Sequence, residues 1–313
     1  MVRMTDEKFF YKYQSFEDEN GDYNKHVIEN LANNQLYFQH PREYNDPFDS
    51  LIHYYTESTV KAYIDRLMNE SQLTREQSIE HLEELIEEGV FKRKGDLLRG
   101  DFYAKDYFPP MPLMCCFSKK NNDILMWSHY AKHHKGVCLI FKSKLIEGIP
   151  HLTINYQLLK LHPIIYDKKA PAPINMRDQA EETEQMFKFL STKSSDWTYE
   201  SEYRIFLTEK LAKGNLNKFK KEELKGIILG ARVGYFSANK IYEIINQHYL
   251  SKGIDVKFYK ARIIPEEYKV LPVEIDLKEH LPILFRKMKL EEEYKKNHNI
   301  SDTLERLKRG SNH

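Results

Sequence analysis

The longest apolar runs in this chain are strand-sized, Gly136 to Phe141 and Gly226 to Leu229. Short runs of this kind build interior strands, and none approaches the roughly 20 residues that span a bilayer. Other stretches carry a helical period: Val60, Tyr63, Ile64, Leu67 and Met68, then Ile79, Leu82, Leu85 and Ile86. The pattern predicts an α+β protein with a mixed or antiparallel β core. One β–helix–β unit is explicit: a strand over Gly226 to Leu229, a helix from about Ser237 to Leu250 with Ser237 as N-cap, and a strand over Val256 to Ala261.

With 313 residues, 41% of them hydrophobic, the chain can bury one large core. No repeat or Gly/Ser linker divides it. The expected organisation is a principal domain over residues 1–275 with a charged helical insertion over 56–108. A charged helical C-terminal extension follows over 276–313, its last dozen residues polar and frayed.

Charge is balanced, 48 basic against 47 acidic residues. Bulk electrostatics therefore do not mark a nucleic-acid protein, although a local basic groove is compatible with the balance. The N-terminus has no apolar signal region. The three cysteines, Cys115, Cys116 and Cys138, form neither a disulfide framework nor a metal-ligand spacing. The expectation is a cytoplasmic protein with reduced thiols, no membrane association and no bound metal; oligomeric state is not legible.

Three polar-aromatic segments carry the candidate chemistry. In Tyr37 to Asp49, Asn45, Asp46 and Asp49 surround Pro47, a pattern of turn chemistry that also suits a ligand-facing loop. In Cys115 to Phe141, Ser118 ends a strand and a helix is expected over Asp123 to His133. Trp127 and Tyr130 would share a face of that helix as an aromatic wall, with His129 beside them. His129 and His133, four apart, are a minor option for zinc. In Trp197 to Phe206, an extended chain would place Tyr199, Ser201 and Tyr203 on one face and Glu200, Glu202 and Arg204 on the other. Paired carboxylates of this kind set each other's pKa values, and a salt-bridged strand is the plain alternative.

At these residues the sequence resembles a bacterial family known as domain of unknown function 2971. The pieces that carry the resemblance are Tyr11 to Tyr13, Leu36 to Asp49, Cys116 to Phe141 and Trp197 to Arg204. Their order is also similar to that of the ADP-ribosyltransferases, which implies a fold of that type and NAD as substrate. This second resemblance implies that Glu202 and Glu200 act as the acid pair and that Ser118 supplies a hydroxyl. It implies that Trp127 and Tyr130 hold nicotinamide, and that Tyr11, Lys12 and Tyr13 form the first strand of the site. Lys12 stands where an Arg or His is expected, so Arg42 or Arg204 would have to meet the pyrophosphate.

The expected function is an NAD-consuming transferase or glycohydrolase, of the kind found in toxins and phage-defence effectors. Its partners would be a nucleotide-type small molecule and a protein or nucleic-acid acceptor. On this expectation Glu202→Gln removes turnover and leaves the fold intact. Two other classes compete: a metal-dependent nuclease using Asp46, Asp49, Glu200 and Glu202, and a non-catalytic module that binds a nucleotide or a protein.

Overall fold

A computed structural model describes residues 8–16, 24–104, 111–175 and 182–297. Its centre is an open eight-stranded sheet. In spatial order the strands are His162–Pro163, Glu202–Leu207, Leu113–Ser118, Phe9–Gln14, Val137–Lys142, Leu224–Leu229, Lys257–Ile264 and Lys269–Ile275. Neighbours run antiparallel except Leu224–Leu229 and Lys257–Ile264, which are parallel and joined by the Tyr235–His248 helix. The fold is mixed α+β, and the β–helix–β unit lies where its hydrophobic period placed it. Ser237 is not its N-cap. Extended backbone at Gly234 starts the helix earlier, leaving Ser237 buried in the first turn.

Alternation along the strands divides the core. Val137, Leu139 and Phe141 face a large cluster that includes Leu31, Ile241, Ile245 and Leu281 from three helices. Cys138 and Ile140 face the opposite way, into a smaller cluster with Tyr11, Tyr13, Trp127 and Tyr259. This two-residue period is what an interior strand covered on both faces requires.

The sheet forks. Phe9–Gln14 pairs with Val137–Lys142 at all six positions, but its register with Leu113–Ser118 is Tyr11 opposite Ser118 alone. At the other end of Leu113–Ser118, Gln39 takes over, exchanging two 2.8 Å backbone hydrogen bonds with Met114. Glu202–Leu207 fills the far edge of that strand throughout. Gln39 therefore occupies the edge that would otherwise continue toward Phe9–Gln14, and a cleft opens between the two strands.

The insertion is less helical than expected. The Val60–Glu70 and Arg75–Glu87 helices are present, but so is a hairpin of Phe91–Lys94 and Leu97–Ala104 turning at Gly95. Leu97–Ala104 also pairs with Ile52–Thr59. The hairpin was hidden because Lys92, Arg93 and Lys94 are all exposed and leave no alternation to read. Tyr63, Ile64, Leu82, Phe91 and Leu98 give this part its own small core. The C-terminal helix spans Leu277–Asn297 and docks through Leu281 and Leu284; the frayed tail expected beyond it lies outside the described residues.

The helix expected over Asp123 to His133 is shorter, Ile124–His129, capped by Asp123. Lys132, His133 and His134 then take left-handed backbone at φ 45°, 54° and 68°. This turn returns the chain to Gly136, whose N–H donates to Ala131 O at 2.8 Å. It also removes the helical spacing on which a His129–His133 zinc site depended. A Cβ on Gly136 would overlap Gln14 O and the Ala131 backbone, whereas Gly234 has open space around it. Gly136→Ala is expected to cost about 1–3 kcal/mol by overpacking, and Gly234→Ala less than about 1 kcal/mol; paired thermal melts read the difference.

Candidate functional site

The fork holds a cavity of about 540 Å³. Tyr11, Tyr13, Tyr44 and Tyr130 line it, Glu200, Glu202 and Lys193 reach it, and Gln39, Asn45 and His129 also border it.

Glu200 and Glu202 arrive by different routes. Glu202 opens the Glu202–Leu207 strand, but Glu200 ends a 3-10 turn, Ser195–Glu200. Ser201, left-handed at φ 46°, reverses the chain between them. The single extended face expected for Glu200, Glu202 and Arg204 is therefore not formed, because Tyr199 and Glu200 precede the strand. The two carboxylates meet instead through Lys193, whose Nζ lies 2.7 Å from Glu200 Oε2 and 3.4 Å from Glu202 Oε2.

Beneath them, Arg204 is fully buried with every donor engaged. It grips Glu202 through Nε and Nη2 at 2.7 and 3.0 Å. It grips Asp49 through Nη1 and Nη2 at 2.8 and 2.6 Å, and Nη1 also donates to Leu190 O. The Tyr44 ring covers the guanidinium at 5.4 Å. Lys193 Nζ reaches Asp49 Oδ2 at 3.4 Å and lies over the Trp197 ring at 4.7 Å.

The cluster thus sets three carboxylates, Asp49, Glu200 and Glu202, against two cations. Burial would raise the pKa of Glu202, but the charge and hydrogen bonds of Arg204, with Lys193, outweigh it and hold that carboxyl at about 2. Burial raises the Glu200 carboxyl from its ordinary value despite Lys193. Tyr130 donates to Glu200 Oε1 at 2.5 Å, and burial followed by the Glu200 charge raises the phenol. Two adjacent carboxyls driven apart in pKa are a recurrent arrangement for acid–base or charge-stabilising work.

Other expected residues fall into place unevenly. Trp127 is fully buried, edge-on to Tyr13 at 5.0 Å, and donates through Nε1 to Asn121 O. It is core and not a wall of the cleft, because the short helix turns it under the sheet. Ser118 borders the cleft, but its Oγ donates to Glu200 O at 2.6 Å and accepts from Lys120 N, clamping the Glu200 turn. Lys12 Nζ donates to Cys116 O at 3.1 Å across the fork. His129 is exposed beside Tyr130 and Tyr199. Asn45 borders the cleft, whereas Asp46 accepts from Phe48 N–H and faces a neighbouring cavity of about 230 Å³. Arg204, spent on carboxylates, has no donor left for a pyrophosphate. Among the described residues, no three His, Cys, Asp or Glu side chains gather as metal ligands.

Sequence reasoning missed Lys193, Tyr44 and Cys116. Lys193 is called for only once the structure shows three buried carboxylates around a single Arg.

Residues 126–205 match the family described as Protein of unknown function (DUF2971). That stretch carries Tyr130, Lys193, Glu200, Glu202 and Arg204, the greater part of the ionic cluster. No curated protein and no solved structure matches the chain.

Removing one partner of the buried cluster should be costly: Glu202→Gln or Arg204→Met is expected to destabilise by about 3–5 kcal/mol in denaturant melts at pH 7. Because the folded pKa of Glu202 is depressed, its contribution is complete above the unfolded carboxyl value, about 4.3. It is lost as pH falls through about 2. The difference in stability between wild type and Glu202→Gln should therefore shrink across that acid window.

Proposed function

We propose that the cleft binds a nucleotide-type substrate and cleaves its N-glycosidic bond, with NAD the substrate to test first. The observation that carries this reading is Glu200, a carboxyl of raised pKa placed at a tyrosine-lined cleft and held by Tyr130 and Lys193, with no bond to Arg204. Tyrosine faces and an adjacent carboxylate suit a cationic ring such as nicotinamide. When the glycosidic bond breaks, its electron pair neutralises the ring nitrogen and positive charge passes to the ribose. Ionised Glu200 would stabilise that oxocarbenium-like state, and water or an acceptor nucleophile would close the ribose while losing its proton.

The order of the elements supports an ADP-ribosyltransferase-like arrangement: a Tyr-Lys-Tyr strand, a strand ending in Ser118, and an acid-bearing strand around one fork. Two departures reshape it. Trp127 leaves Tyr130 as the ring on that side, and Arg204 leaves Arg42 as the remaining arginine for the pyrophosphate. Arg42 is exposed at the neighbouring cavity, which shares Tyr44, Asn45 and Asp49 with the cleft. The central role also moves from Glu202, locked to Arg204, to Glu200.

The nuclease reading is weaker because Asp49 and Glu202 are both held by Arg204 and Asp46 is spent on its own turn. The binding-module reading draws on the fact that both Glu200 oxygens already have partners.

Incubation with NAD and chromatography of released nicotinamide separates these readings. Glu200→Gln should lower release at least 100-fold; it also removes a buried partner of Lys193 and Tyr130, so the two rates are compared at a temperature at which melts show both proteins folded. Wild-type rate should rise with pH through an acid limb displaced upward from the ordinary carboxyl value. Tyr130→Phe should move that limb higher, because the lost hydrogen bond favours the ionised form. Saturable NAD binding without release would favour a binding module, and absence of both would overturn the proposal.

A further inference from the structure

A second surface, away from the acid cluster, is basic and aromatic. It begins at the left-handed turn, where Lys135 and His133 are exposed. Arg232 N–H donates to His134 O at 2.9 Å, which places the exposed Arg232 loop against that turn. Lys260 Nζ donates to Gly230 O at 2.7 Å, bringing the parallel strand to the same loop. Burial and the charge of Lys287 push the Lys260 amine down to about 8, and His280 is lowered by burial and then by Lys260 and Arg262. These cations are therefore close enough to repel one another.

Aromatic rings adjoin the Arg232 loop. Tyr235, three residues after Arg232, packs edge-on against Phe285 at 5.0 Å and against Phe236 at 5.5 Å. Phe285 is carried by the Leu277–Asn297 helix, and the Lys289 amine lies 5.7 Å from its ring centre. Phe236 is 59% exposed. Nearby acids are spent or peripheral: Asp276 caps the Leu277–Asn297 helix, and Glu291 lies 3.9 Å from Lys287 on an exposed stretch. Among the described residues, Lys135, Arg232 and Arg262 have no carboxylate partner.

We propose that this surface binds a single-stranded polynucleotide, with Lys135, Arg232 and Arg262 on its phosphates and the Phe236 ring under a base. Charges without acid partners supply the affinity for the backbone, and a ring fixed by its neighbours supplies a stacking platform. The near-neutral charge of the whole chain makes this concentration on one surface the informative fact.

The test is fluorescence anisotropy of a labelled 20-nucleotide single strand titrated with the full chain at several salt concentrations. Wild type should bind with a salt-dependent constant. Arg232→Glu combined with Arg262→Glu should weaken binding more than tenfold and flatten the salt slope by about 0.7 for each phosphate no longer neutralised. Phe236→Ala should weaken binding about fivefold or more while leaving the slope unchanged. Lys92→Glu with Arg93→Glu, on the exposed hairpin of the insertion, should change nothing. The proposal is overturned if wild type does not bind at low salt, or if the hairpin variant loses as much as the Arg232/Arg262 variant. It is equally overturned if phosphatidylserine vesicles are bound and the oligonucleotide is not. None of these readouts requires NAD turnover, so either proposal can fail alone.

Discussion

Arg204 ties together parts of the chain that no local rule connects. Asp49 lies 155 residues away in sequence, Glu202 two residues away, and both are held by one planar fork. Burying a guanidinium is tolerable only where its donors are all matched, and here carboxylates, a hydroxyl and a carbonyl match them. The Tyr44 to Ser50 loop, the Glu202–Leu207 strand and the end of the Glu182–Leu190 helix converge on that one side chain. Its charge also keeps Glu202 ionised, and Lys193 joins that anion to Glu200. The chemical character of the cleft therefore follows from a contact lying beneath it.

A similar economy shapes the cleft itself. The fork between Phe9–Gln14 and Leu113–Ser118 exposes both strands to one cavity, and Lys12 bridges them through Cys116 O. Ser118 and Tyr13 each bond to the short chain segment that follows the strand, Ser118 at Lys120 N and Tyr13 at Lys120 O. Several residues that border the cleft thus hold its walls in place, while Tyr130 and Glu200 meet each other at its edge through one hydrogen bond.

What was legible in the sequence was periodic. Val137 to Phe141 and the β–helix–β unit announced themselves because burial on two faces, or alternation with a 3.6-residue helix period, leaves a pattern in residue type. The short Ile124–His129 helix did not, since the capping of Asp123 marks a beginning while its end depends on how Gly136 meets Gln14. Trp127 illustrates a different limit: an aromatic spaced three from Tyr130 reads the same whether it lines a cleft or fills a core. Glu200 and Glu202 were paired by their spacing, yet the pairing arises from a 3-10 turn and Lys193, not from one strand face. Lys193 itself sits in a polar Thr-Lys-Ser-Ser run that looks like surface. Nonlocal charge balance has no periodic trace.

The fork has a consequence for how the chain reaches this state. Its central strand, Phe9–Gln14, precedes both of its partners, which come only at residues 113–118 and 137–142. The partner of 113–118 on its other edge comes later still, at 202–207. Contacts so distant along the chain carry a loop-closure penalty that slows their formation. A ribosome-bound chain must therefore hold an apolar, tyrosine-rich segment without its sheet until about a hundred further residues have emerged. That interval is when the segment is most open to association with other chains.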